Sequence, residues 1–141
     1  MSLREVAMPG PEQNLPSLGA RPTAIGIKSP GGWFMSTLAS KTCVPCRGDL
    51  PALKGADLHN LSHQLPNWTV VDEHHITRTF TFPDFQKALD FVNRVGAIAE
   101  EQGHHPDILL TWGKATVTIW THKVNGLTES DFVLAAKIDQ L

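Results

Sequence analysis

The hydrophobic pattern changes its period at residues 103–106, and this change constrains the fold more than any other feature of the sequence. Before it, apolar residues recur at helical spacing over residues 85–99. After it, residues 108–112 and 115–122 form two β-prone runs. The glycine at the change suits the left-handed residue that ends a helix, and the proline favours extended backbone just before it. We therefore expect a helix to end and a strand to begin within these four residues.

The remaining elements follow from similar patterns. Leucines at helical spacing predict a helix over residues 56–65, and β-prone runs at 68–71 and 76–82 predict a hairpin. A last helix is expected to begin at Thr128. The order α-β-β-α-β-β-α suits an α+β two-layer domain. In it, a four-stranded antiparallel sheet has three helices on one face.

Composition separates a leader from this domain. Residues 1–34 contain five of the ten prolines and five of the eleven glycines, without a sustained period. We expect this leader to be disordered and residues 35–141 to form a single domain. A net charge of −2 with no Lys/Arg cluster predicts no nucleic-acid partner. The apolar runs are too short for a membrane span, so we expect no membrane partner. Residues 1–30 lack the apolar stretch of a secretory signal, so we expect a cytoplasmic protein.

Two smaller motifs could bind a metal ion, although each has a simpler interpretation. Cys43-Val44-Pro45-Cys46 is half a zinc site without its second half, and we interpret it as two free thiols. His59 and His63 lie four apart on the predicted first helix, where a solvated polar face is the simpler interpretation.

Hairpin register predicts that three of the seven histidines cluster. If Trp112 pairs with Ala115 across a Gly-Lys turn, His105 faces His122. A three-residue loop would shift the register by one and place His104 opposite His122 instead. Either register brings His122 beside the adjacent pair.

General acid–base chemistry fits this cluster better than its rivals. His104 and His105 would point to opposite sides of an extended segment, which disfavours one shared metal ion. An imidazole can hold or release a proton near neutral pH, so two of them can supply one acid and one base. Glu100 lies near the helix end, and Asp131 takes the N3 position of the last helix, where a capping box alone would explain it.

The combined spacing resembles the signature of the pterin-4a-carbinolamine dehydratases, and the pattern is most similar to their bacterial branch. An acidic residue precedes His-His-Pro, and an aromatic residue, a histidine and an aspartate follow at fixed distances. The matching positions are Glu100, His104, His105, Pro106, Trp112, His122 and Asp131. The resemblance covers residues 43–141, and the family's element order agrees with the order predicted above.

The resemblance implies a hydro-lyase that converts 4a-hydroxytetrahydropterin to quinonoid dihydropterin and water. It needs no metal and no cofactor, because the pterin is the substrate. The implied catalytic residues are His104, His105 and His122. The implied substrate-binding residues are Glu100, Pro106, Thr121 and Asp131. Relatives form homodimers or homotetramers and serve a phenylalanine hydroxylase. The alternative is a non-catalytic dimerisation module for a transcription factor, a role of some animal relatives.

Because the leader lies outside the predicted domain, a chain that begins at Met35 should fold and keep the activity of the full chain. Circular dichroism and the rate of pterin dehydration measure this. A truncated chain that failed to fold would contradict the predicted boundary.

Overall fold

The computed structural model describes residues 37–45 and 48–141. The predicted boundary at Met35 and the thiol of Cys46 lie outside the described residues. The helices are α1 (Gly55–Ser62), α2 (Phe85–Gln102) and α3 (Glu129–Ile138), with 3₁₀ segments at Thr37–Ser40 and His122–Val124. The strands are β1 (Thr69–Val71), β2 (His75–Thr81), β3 (Asp107–Thr111) and β4 (Lys114–Ile119). None of the helices described here is long and apolar enough to cross a membrane.

The strands form one antiparallel sheet in the order β1-β2-β4-β3, which confirms the predicted α+β class and element order. Its covered face carries Ile76, Val117 and Ile119, which are completely buried. Helix α2 packs on β3, β4 and α3. The opposite face carries threonines, and the hydroxyls of Thr79 and Thr116 lie 2.9 Å apart across β2 and β4. Period-two alternation therefore separates an apolar core from a hydroxyl-rich surface.

Helix α2 has well-defined signals at both ends. The Asp84 carboxylate accepts a hydrogen bond from the Lys87 amide at 2.8 Å, so the helix begins just after Asp84. At the other end Gly103 has φ +61°, and its amide donates to Glu100 at 3.2 Å. The His104 amide then donates to Ala99 at 3.1 Å, completing a Schellman motif. The helix cap therefore fixes where the His-His pair begins.

The predicted register of the second hairpin is wrong by two residues. Thr111 pairs with Lys114 and Ile108 with Val117, so the turn is Trp112-Gly113 and not Gly113-Lys114. The reason is backbone geometry. Gly113 is the second of the two turn residues and has φ +69°, and a turn with a positive φ at this position favours glycine there. The Gly113 carbonyl also accepts a hydrogen bond from the Phe82 amide at 2.8 Å.

Strand β4 is also shorter than predicted. It ends at Ile119 instead of reaching His122. Thr121 forms an isolated bridge with Gly126, and the chain between them makes the 3₁₀ turn. Asn125 has φ +49° in that turn, which agrees with the turn expected at Asn125-Gly126.

Two glycines should respond oppositely to alanine substitution. Gly113→Ala should destabilise the protein by roughly 1–3 kcal/mol. Its φ is positive, and the new Cβ would lie 2.9 Å from the Phe82 carbonyl oxygen. Gly96→Ala, inside α2 with open space around the new Cβ, should stabilise by roughly 0.5–1 kcal/mol. Urea denaturation measures both, and equal effects would contradict the assigned turn.

Candidate active site

The three histidines border one cleft of about 320 Å³ where the end of α2 meets the segment after β4. Its described lining consists of Pro45, Gly103, His104, His105, Trp120, Thr121, His122 and Lys123. The predicted clustering is therefore present, but the predicted strand pairing of His105 or His104 with His122 is not. The 3₁₀ turn, instead of an extended strand, carries His122 to the cleft.

A buried ion-pair geometry joins His104 to Asp131. The Nε2 atom of His104 lies 2.7 Å from Oδ1 of Asp131. The histidine is 7% exposed and the aspartate 0% exposed. A carboxylate only accepts hydrogen bonds, so this contact places a proton on Nε2 of the imidazole. Nδ1 is then the nitrogen whose lone pair can accept a proton in the neutral ring.

The second carboxylate oxygen of Asp131 holds three more donors. Oδ2 accepts from the Thr128 amide at 2.7 Å, from the Thr121 hydroxyl at 2.8 Å and from the Thr128 hydroxyl at 3.2 Å. The amide contact is half of the expected capping box of α3, so Asp131 caps the helix and contacts His104 at once. Thr121, 2% exposed, links the same carboxylate to the cleft wall. Asp131 is fully buried, so the structure favours orientation of His104 over direct contact with a ligand.

His105 is exposed where His104 is buried, although both line the cleft. Its Nε2 lies 2.8 Å from Oε1 of Glu100, and these side chains are 61% and 79% exposed. Exposed pairs of this kind contribute little to stability. Pro106 is half-buried at the start of β3 and is not among the described residues that line the cleft.

His122 is exposed and packs on Trp120. Their ring centroids lie 4.0 Å apart with the planes inclined at 67°. The Trp120 indole N–H donates to Oδ2 of Asp107 at 3.3 Å, which ties the ring to β3. His122 is open to water, whereas the imidazole of His104 is buried against the Asp131 carboxylate. The two histidines therefore have different environments within the same cleft.

Two residues that line this cleft, Trp120 and Pro45, were not predicted from the sequence. The sequence places Trp120 inside a predicted strand, and its position beside Thr121 and His122 is the signal that could indicate a role in the cleft. Pro45 belongs to the cysteine motif, which is far from the histidines in sequence. No local pattern indicates that Pro45 reaches the histidines.

The geometry supports proton transfer. Within residues 37–45 and 48–141, no three histidine, cysteine or carboxylate side chains are grouped to hold a metal ion. The cleft brings together one imidazole with a fixed tautomer and two solvent-accessible ones. This arrangement can offer a base and an acid to one small ligand.

Comparison with known proteins identifies the family. The family model described as pterin 4 alpha carbinolamine dehydratase matches residues 51–141. A relative from Rubrobacter xylanophilus is 64% identical over 107 residues, which are 76% of this chain and all of the relative. This chain belongs to the pterin 4 alpha carbinolamine dehydratase family. Family membership confirms the resemblance seen in the sequence.

Further relatives are similar to this chain at lower identity. A relative from Alkaliphilus metalliredigens is 47% identical over 107 residues, covering 75% of this chain and 96% of its own. Like the Rubrobacter protein, it is named provisionally as a pterin-4-alpha-carbinolamine dehydratase. A crystal structure from Brucella melitensis, described as a transcriptional coactivator/pterin dehydratase, matches with a TM-score of 0.60 and 33% identity. It covers 63% of this chain and 96% of its own.

Replacing the buried carboxylate should cost far more stability than replacing the exposed one. In Asp131→Asn, the new amide N–H₂ group would face hydrogen-bond donors, or some of those donors would lose their acceptor. We expect the free energy of unfolding to fall by roughly 1–3 kcal/mol. Glu100→Gln should change stability by less than about 0.5 kcal/mol. Urea denaturation measures both. Equal losses would show that the network around Asp131 is not formed as described.

Proposed function

We propose that this protein dehydrates 4a-hydroxytetrahydropterin to quinonoid dihydropterin and water by histidine acid–base catalysis. The C4a–O bond breaks, N5 loses its proton, and the C4a=N5 double bond forms. One proton goes to the departing hydroxyl and one comes from N5, so the reaction needs an acid and a base in balance. The observation that carries the proposal is the buried His104–Asp131 pair opening on a cleft that also holds His122.

His104 is the proposed base. Its Nε2–H is held by Asp131, so Nδ1 can take the proton from N5. The resulting imidazolium would lie 2.7 Å from the Asp131 carboxylate and form an ion pair with it. The same division of labour, with a carboxylate orienting a histidine base, occurs in hydrolase triads. Asp131 is therefore proposed as a positioning residue.

His122 is the proposed acid. It lines the same cleft and is exposed, so water can reprotonate it between turnovers. His105 also lines the cleft and is proposed to contact the pterin, with Glu100 orienting its ring at 2.8 Å. Pro106 is proposed to act on substrate binding indirectly, because it restricts the backbone of His105. No metal or cofactor is part of the proposal.

The proposal also includes the protein's setting. A cytoplasmic enzyme of this kind would return the pterin cofactor of a phenylalanine hydroxylase. Homodimers or homotetramers are proposed because β3 is an edge strand, with Leu109 63% exposed on it and Trp112 72% exposed in the following turn. Light scattering on the purified protein measures that assembly.

The catalytic roles predict a large loss of rate at two positions. His104→Ala and His122→Ala should each lower kcat for dehydration by roughly 10²–10⁴-fold, because each removes one proton-transfer group. The measurement is absorbance-monitored dehydration of freshly generated 4a-hydroxytetrahydropterin, corrected for the spontaneous reaction.

A matched histidine controls for nonspecific effects. His63 is exposed on the turn that ends α1 and does not line the cleft, so His63→Ala should keep the wild-type rate. Thermal unfolding of each variant separates lost catalysis from lost folding. The proposed function would be wrong if the wild-type protein were no faster than the spontaneous reaction. It would also be wrong if all three variants had the wild-type rate.

A further inference from the structure

His74 packs on a wall of the histidine cleft. Trp120 lines the cleft, whereas His74 is not among the described residues that do. The ring centroids of His74 and Trp120 lie 4.5 Å apart, with the planes inclined at 41°. The same indole ring packs on His122, with centroids 4.0 Å apart. A row of three rings therefore leads from the end of the first hairpin turn to His122, the proposed acid.

A hydrogen bond also ties His74 to the turn that carries His122. Nε2 of His74 lies 3.2 Å from Oδ1 of Asn125, the residue that follows the 3₁₀ segment His122–Val124. An amide oxygen only accepts, so Nε2–H of His74 is the donor. His74 thus contacts residues on either side of this segment, Trp120 before it and Asn125 after it.

The turn around His122 gains from such an anchor because it is exposed. Both His122 and Asn125 face solvent. The Val124 amide donates to the Thr121 carbonyl at 3.3 Å, and the Asn125 amide donates to the His122 carbonyl at 3.2 Å. Asn125 also has φ +49°, a conformation that is costly for a residue other than glycine. Exposed segments of this kind open locally with little free energy, so side-chain contacts decide how well they are held.

His74 is itself firmly placed. Its amide donates to the Val71 carbonyl at 2.9 Å across a two-residue turn, in which Asp72 and Glu73 have φ +51° and +53°. Positive φ at both positions gives the tight turn that suits twisted antiparallel strands. Nδ1 of His74 lies 3.1 Å from Nδ1 of His75 and accepts a hydrogen bond there when the His74 ring is neutral. Both nitrogens of the His74 ring therefore have partners that fix its orientation.

We propose that His74 is a positioning residue for His122. It holds the turn through Asn125 and the cleft wall through Trp120, so that the His122 imidazole stays directed at the cleft. His74 acts through these neighbours and not by contact with the pterin. This inference rests on the proposed dehydratase function, in which His122 gives the proton to the departing hydroxyl.

The first measurement is amide hydrogen exchange, which needs no substrate. In His74→Ala, the amides of Asn125 and Gly126 should exchange roughly tenfold faster than in the wild type, because the turn loses its side-chain anchor. The amide of Val117, in the centre of the sheet, should keep its wild-type rate. His74 is not part of the buried core that includes Val117, so its loss should act locally.

The second measurement is the kinetics of dehydration. His74→Ala should lower kcat roughly tenfold, because a displaced proton donor costs rate even when the ligand still binds. KM should change by less than roughly twofold, since a loss confined to the transition state appears in kcat. His74→Gln should restore most of the wild-type kcat, because the glutamine amide can take the place of Nε2–H and donate to Asn125. A role in general packing would not be restored by a side chain without a ring.

A second histidine with a similar neighbour provides the matched control. His59 and His74 each have a ring nitrogen 3.1 Å from that of an adjacent histidine ring. His59 lies on α1, is exposed and is not among the described residues that line the cleft. His59→Ala should therefore keep the wild-type kcat and the wild-type exchange rates at Asn125 and Gly126.

The outcomes separate this inference from the proposed function. If the wild type is active but His74→Ala leaves either kcat or the exchange at the turn unchanged, only the positioning role is wrong. Faster exchange throughout the domain, with no recovery of kcat in His74→Gln, would likewise overturn it. If the wild type did not dehydrate the pterin, the dehydratase function would be wrong and the positioning role with it, even if the exchange at the turn changed as expected.

Discussion

The site depends on the burial of one carboxylate. Asp131 is completely buried, and a buried charge is costly unless hydrogen bonds compensate it. Here four contacts compensate it, from His104, from Thr121 and from the amide and hydroxyl of Thr128. These contacts join the segment after α2, the segment after β4 and the start of α3. One carboxylate therefore sets the helix cap, the cleft wall and the histidine tautomer together.

Local chemistry made much of the fold predictable. The Gly-His-His-Pro sequence ends α2 and starts β3 as expected, because a left-handed glycine and a proline restrict the backbone directly. The position of Asp131 at N3 of α3 likewise follows from capping preferences. Signals of this kind depend on a few neighbouring residues, so the sequence carries them in full.

Long-range geometry was harder to predict. The hairpin register depended on which residue of the turn took a positive φ. Because the turn lies one residue earlier than predicted, each β3 residue pairs with a β4 residue two positions before the predicted one. His122 still reached the cleft because Thr121 bridges Gly126 and curls the chain back. Pro45 reached it because its neighbours Cys43 and Val44 hydrogen-bond to Gln102 and Ser130, which are distant in sequence. The histidine cluster was therefore predicted correctly, but for a partly wrong geometric reason.

The central claim is that Asp131 acts through His104, and a double-mutant cycle on kcat tests it most directly. The four proteins are wild type, Asp131→Asn, His104→Ala and the double variant, all measured at a temperature where each is folded. If the aspartate works by orienting the histidine, Asp131→Asn should slow the wild type but add little in the His104→Ala background, since groups that act as a unit are not additive. Losses that multiplied across the two positions would show independent roles and contradict the account.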